Sequence, residues 1–140
     1  MCWRRRFYKA PVTSLAAGKE EKILHFRGHI CVRQLTLYYN ADDTTGSDDN
    51  IWTIKIDGEE VWRGTPEHVI DYYGGTLQAQ YANRPLFPIK IDTTKKLFGI
   101  CFIDLGRVNK NIEVWLKNVD TANACKLRVG MVYDVLEDEK

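Results

Sequence analysis

The chain has 140 residues, of which 44% are hydrophobic and 28% charged. That length suits one domain, and the apolar share is enough for a packed core, which excludes a wholly disordered chain. Twenty Lys and Arg against nineteen Asp and Glu leave a net charge of +1, so no overall excess draws the chain toward nucleic acid or a membrane surface. No apolar run approaches the roughly 20 residues of a membrane-spanning helix.

The first residues, MCWRRRFYKAP, begin basic, like a secretory leader, but Lys9 and Pro11 interrupt any apolar stretch. No signal peptide is expected, and the default is synthesis in the cytoplasm. Trp3, Arg4, Arg5, Arg6, Phe7 and Tyr8 combine arginine with aromatic rings, the residue types that dominate protein interfaces. The same types suit contact with phosphates and bases, although the near-zero net charge argues against a nucleic-acid partner. Residues 1–15 are therefore read as a basic, aromatic arm and residues 16–140 as one domain. Residues 5–15 and 20–27 each offer a further strand.

Residues 29–39, HICVRQLTLYY, are rich in β-branched and aromatic types and predict a strand. Residues 40–50, NADDTTGSDDN, are a polar loop with Gly46 as a breaker. Residues 51–63, IWTIKIDGEEVWR, predict a hairpin, because Asp57-Gly58 suits a type I′ turn with positive φ at both central positions. A two-residue turn there sets Lys55 opposite Glu60, Ile54 opposite Val61 and Thr53 opposite Trp62. Residues 65–73 predict a short helix, with Thr65 as its cap, Pro66 at its first turn and Gly74-Gly75 as its stop. Residues 76–85 read as irregular. Strands resume at 86–92, where Pro88 points to an edge or a bulge, and at 97–104, 111–119 and 124–136. In the last, Cys125, Leu127, Val129, Met131, Tyr133 and Val135 alternate with more polar residues, the period of a strand with one buried and one wetter face.

Seven to nine strands with one short helix predict an all-β, antiparallel two-sheet β-sandwich. The strand count and the interrupting helix favour a jelly roll over an immunoglobulin topology. Strand 97–104 is apolar on both sides, so it has to be covered twice, by its own chain or by a neighbour.

Signals of catalysis are sparse. No GxSxG, Walker, HxH or HExxH motif occurs. His25 and His29 would lie roughly 13 Å apart on an extended chain, too far to share a metal. Glu59, Glu60, Glu67, Asp71 and Glu113 read as solvated charges on strand faces. Cys2, Cys31, Cys101 and Cys125 form no CxxC pair, and the last three read as buried free thiols. No enzymatic activity and no obligatory cofactor are expected. Asp42, Asp43, Asp48 and Asp49 cluster oxygen ligands that suit Ca²⁺, without the EF-hand spacing. The same acidic loop could instead dock on a basic patch of a neighbour. Trp62 and Trp115 fall opposite the cleaner apolar rows of their strands, so they are expected to face outward, either into an interface or stacked on a sugar ring.

A compact all-β chain with a basic-aromatic head and an Asp57-Gly58 hairpin resembles small jelly-roll virion proteins: capsid, cement and decoration subunits. The resemblance is one of architecture. It implies a structural protein that forms a homo-oligomer or packs on other subunits within a virion. The run of Arg4, Arg5 and Arg6 is shorter than a genome-packaging arm. The alternative is a carbohydrate-binding β-sandwich module.

Overall fold

A computed structural model describes residues 2–41, 50–66, 86–92 and 97–137. Among them are ten strands: β1 (Cys2–Lys9), β2 (Ser14–Leu15), β3 (Glu20–Arg27), β4 (Ile30–Ala41), β5 (Ile51–Ile56), β6 (Glu59–Gly64), β7 (Leu86–Asp92), β8 (Leu97–Val108), β9 (Asn111–Lys117) and β10 (Cys125–Glu137). They form two antiparallel sheets. The larger has the order β1-β10-β4-β8-β7, with β2 also paired to β10; the smaller has the order β3-β9-β5-β6.

The order follows one rule. The β5–β6 hairpin lies at the centre of the chain, and the strands before and after it pair outward in sequence: β4 with β8, β3 with β9, β1 with β10. The chain behaves as one long hairpin rolled over so that successive pairs alternate between two sheets. That is the jelly-roll arrangement, with β7 added beside β8. The predicted fold class is therefore observed.

Alternation explains the core. On β10, Cys125, Leu127, Val129, Met131 and Tyr133 are buried, and on β9 so are Ile112, Val114 and Leu116. Leu35, Leu37 and Tyr39 of β4 meet the facing sheet through pairs such as Tyr39 and Trp52, whose rings lie 6.2 Å apart. Asn118, fully buried, donates from its side chain to the carbonyl oxygens of Leu15, Ala16 and Asn123. It ties β2 to the β9–β10 connection and satisfies the backbone acceptors around it, the buried Leu15 carbonyl among them.

The Asp57-Gly58 turn forms as its chemistry dictates, with φ of 54° and 87°. Asp57 also accepts hydrogen bonds from the backbone N–H groups of Asn109, Lys110 and Asn111, the shortest 2.6 Å from Lys110. These donors, Lys110 first, hold its carboxyl below the usual aspartate value. The hairpin tip thus clamps the β8–β9 turn. Gly58→Ala forces a side chain into the left-handed region and is expected to cost about 1–2 kcal/mol in chemical denaturation.

Register departs from expectation one step beyond the turn. Lys55 does pair with Glu60, but Ile54 pairs with Trp62 and Thr53 with Arg63. Val61 is the extra residue of a bulge, and it is 48% exposed. The bulge reverses the parity of everything after it, so Trp62 turns inward. Its ring meets Phe102 of the facing sheet edge-on, with centroids 5.1 Å apart. The expectation that Trp62 faces outward is corrected.

The N-terminal arm forms part of the larger sheet. Residues 2–9 are β1, paired with β10 at every position from Cys2–Glu137 to Lys9–Gly130, and Ser14–Leu15 is β2. Residues 97–104 extend to Val108 as β8. Beyond Pro66, the helix expected over 65–73 lies outside the described residues, as do the irregular segment 76–85 and the loop 42–49. Among the described residues, no helix is long and apolar enough to cross a membrane.

Candidate functional site

The outer face of the larger sheet carries the most distinctive side-chain pattern. Asp134 of β10 lies directly opposite Arg5 of β1. Arg33 of β4 reaches it from the other flank, because bulges in the β10–β4 and β4–β8 ladders leave Arg33 without an opposite residue. Arg5 donates from Nε to Asp134 Oδ1 at 2.9 Å and from its Nη2 to Oδ2 at 3.2 Å, and Arg33 donates from Nε to Oδ2 at 2.7 Å. Arg33 Nη1 lies 3.6 Å from Asp104 Oδ1 on β8. Charges thus alternate across four adjacent strands. The guanidinium groups leave only 8% of the Asp134 side chain exposed. Hydrogen bonds from Arg5 and then Arg33 pull its carboxyl down to about 2. This row fastens the edge strand to the sheet.

Beside the row the face is hollow. Gly130 sits mid-strand in β10, opposite Lys9 on one side and Thr36 on the other. A Cβ placed there would meet nothing within 4 Å. Around the missing side chain runs a groove of about 460 Å³ lined by Phe7, Lys9, Gln34, Thr36, Gly130 and Val132, among others. A second hollow of about 370 Å³ continues it past Lys9 and Gly130 to Thr13 and Arg128. The described lining contains Lys9 and Arg128 and no carboxylate. Phe7 stands at the rim, 77% exposed. An exposed phenyl ring on a sheet edge is an unsatisfied apolar surface. Among the described residues, no strand pairs with the far edge of β1.

The structure divides the predicted arm between two faces. Arg5, Phe7 and Lys9 point to the outer face. Arg4, Arg6 and Tyr8 point the other way, opposite Val135, Tyr133 and Met131. Tyr8 is half-buried and packs edge-on against Phe26 of β3 with centroids 5.5 Å apart, which links the sheets. Arg4 and Arg6 remain exposed. Trp3 occupies the β1 position opposite Leu136.

The outer face of the smaller sheet centres on Trp115, which does face outward. The ammonium groups of Lys22 and Lys55 lie 5.5 Å and 5.4 Å from the centre of its ring. Lys22 also pairs with Glu113 at 3.1 Å. Burial pushes the Glu113 carboxyl up, but Lys22 and His25 outweigh it and leave the group below its ordinary value. A hollow of about 140 Å³ lies here among Glu20, Thr53, Lys55, Glu60, Arg63 and Trp115. The indole is covered by its own lysines, so this surface offers a sugar little bare ring.

Among the described residues, Cys31, Cys101 and Cys125 form no disulfide; the latter two are buried and Cys31 is half-buried. Among the described residues, no three His, Cys, Asp or Glu side chains come together in a way that could hold a metal ion. Asp42, Asp43, Asp48 and Asp49, the candidate Ca²⁺ ligands, lie outside the described residues.

Arg33, Asp134 and Gly130 were not among the residues singled out by sequence. Gly130 did carry a signal: a lone glycine in a long alternating strand marks a bulge or a surface that another backbone approaches.

No protein-family model matches this sequence, and no curated protein is similar to it. Among solved structures, the crystal structure of dimeric latent PorU from Porphyromonas gingivalis has a similar fold. Its TM-score is 0.50 with 7% sequence identity, covering 96% of this chain and 13% of that one. The chain thus matches only a small part of PorU's length. The likeness is one of fold, a β-sandwich shared without detectable kinship of sequence.

Proposed function

We propose that this chain is a non-enzymatic assembly protein that meets neighbouring subunits through the β1 edge and the outer face of the larger sheet. The observation that carries the reading is Phe7, 77% exposed on an edge strand that has no partner on its far side among the described residues. Edge strands of ordinary monomers are blunted or covered, because open backbone groups recruit other strands. Here the edge is long, basic and aromatic. The jelly-roll pairing supports the narrower form of the proposal, a coat, cement or decoration subunit of a virion. The carbohydrate-binding alternative has less support: Trp62 packs inward and lysines lie over Trp115.

Light scattering coupled to size-exclusion chromatography tests the reading. The expected result is a mass of several copies, lowered by Phe7→Glu with no loss in melting temperature, since Phe7 contributes little to the core. A monodisperse monomer at every concentration, with no partner recovered from the native source, would overturn it.

A further inference from the structure

Just beyond β1, the Ala10 N–H donates to the Val129 carbonyl oxygen at 2.9 Å. Backbone groups of an antiparallel strand point alternately to its two sides. Arg4, Arg6 and Tyr8 therefore turn their N–H and C=O groups toward β10. Trp3, Arg5, Phe7 and Lys9 turn theirs toward the far edge, where no strand among the described residues meets them. Arg5 and Phe7 also share the outer face, and both side chains are exposed there. Asp134 holds Arg5 along one edge of its guanidinium, through Nε and Nη2. The flat face of that group, which is the part that stacks on an aromatic ring, is not used by this pairing.

We infer that the β1 edge is the interface of a symmetric dimer, in which β1 of a second copy adds antiparallel about a two-fold axis at Arg6. The inference rests on the assembly reading above and names its partner and register. Around that axis Arg5 faces Phe7 of the second copy, Arg4 faces its Tyr8 and Lys9 faces its Trp3, each pair occurring twice by symmetry. Cations thus meet rings. The hydrogen-bonded pairs are the odd-numbered residues, whose backbone groups point to the open edge, so side chains and backbone ask for the same register. A shift of two residues one way sets Arg5 against Arg5 and Arg4 against Arg6; the other way it sets Arg5 against Lys9. Like charges directly opposite destabilise a strand pair. A shift of one residue sets edge-facing backbone groups against groups that point away. In the favoured register Arg6 alone meets its like, on the axis and exposed. Arg4 and Arg6 already have partners within their own chain, so the outer-face pairs of Arg5 with Phe7 do the selecting. The two larger sheets run on as one. Two-fold closure consumes the edge, so growth through β1 stops at two copies and a larger assembly needs the outer face as well.

The test is cysteine trapping in the full chain, read against the background of the parent's own thiols. Arg6→Cys places one thiol of each copy on the axis, in a non-hydrogen-bonded pair with Cα atoms about 4.5 Å apart, within reach of a disulfide. It is expected to oxidise to a covalent dimer, whereas Arg4→Cys, off the axis, is not. Phe7→Pro removes an edge-facing N–H that β10 does not use, a position where a strand tolerates proline. Added to Arg6→Cys, it is expected to abolish trapping while the chain stays folded by its melting curve. Phe7→Ala keeps the N–H and is expected to weaken the dimer roughly tenfold in the concentration dependence of light scattering. Gly130→Val, on the face and clear of the edge, is expected to leave Arg6→Cys trapping unchanged. Trapping of Arg4→Cys as readily as Arg6→Cys overturns the register. Trapping that Gly130→Val abolishes moves the contact to the face and overturns the inference. A chain that assembles but is not trapped by Arg6→Cys overturns the inference and keeps the assembly reading. A chain that is monomeric at every concentration overturns the inference too, and the assembly reading falls with it only when no other partner is recovered from the native source.

Discussion

Trp62→Ala is expected to destabilise the domain by roughly 2–4 kcal/mol, against about 1 kcal/mol for Trp115→Ala, when both are unfolded in urea. The two residues look alike in sequence, since each follows a strand with a cleaner apolar row on the other face. The bulge at Val61 separates them. Trp62 reaches across the sandwich to Phe102, so its loss opens a cavity between the sheets that neighbouring strands cannot close without moving their ladders. Trp115 remains on the outside, and its loss removes the contacts with Lys22 and Lys55 while the core beneath, including Val114, stays packed. Against a total of about 5–15 kcal/mol for an ordinary domain, the first change alone brings the fold near its limit. Equal losses for the two variants would mean that the hairpin lacks its bulge and that Trp62 points outward.

That bulge also marks the limit of what sequence patterns could supply. The turn was legible because Asp57 and Gly58 are among the few residues that accept positive φ, and it fixed the first pairs, Lys55 with Glu60 among them. Two expected segments, 20–27 and 86–92, coincide with β3 and β7, although neither alternates cleanly: Ile23 and Leu24 are adjacent and both buried. An inserted residue reverses the alternation after it, but a strand as short as Glu59–Gly64 has too few apolar residues for the reversal to be read from sequence. The bulges around Arg33 are of the same kind. They bring an arginine, two aspartates and a second arginine from four strands into one row, although these residues are up to 129 positions apart in the chain. The basic head of the chain was visible as an interface candidate, but its role as a fully paired edge strand depended on β10 at the far end of the sequence. The groove required both: a glycine legible as an anomaly and a neighbour, Phe7, that only pairing brings beside it.

The Asp134 row predicts how acid acts on this edge. In the folded chain the Asp134 carboxyl is held at about 2, below its ordinary value of 3.8, by Arg5 and then Arg33. A group whose value is depressed by folding adds stability that is fully present above the unfolded value. That stability is lost as pH falls from there through the folded value. Asp57, Asp120 and Glu113 are lowered as well, so the whole domain is expected to weaken over the same acid range. Asp134→Asn isolates the row. It keeps the side chain's shape but removes the charge that holds two guanidinium groups in place, so Arg5 and Arg33 are left repelling each other across β10. At about pH 6 the variant should melt clearly below the parent, and the gap should close as pH approaches about 2, where the parent's own carboxyl takes up a proton. Amide exchange should locate the damage. The backbone groups of β1 lose protection while those of β4 and β10 keep theirs, because the edge strand has a ladder on one side only. A gap that stayed constant with pH would assign the effect to packing rather than charge. Loss of protection spread evenly over the sheet would mean that the row supports the core and not the edge.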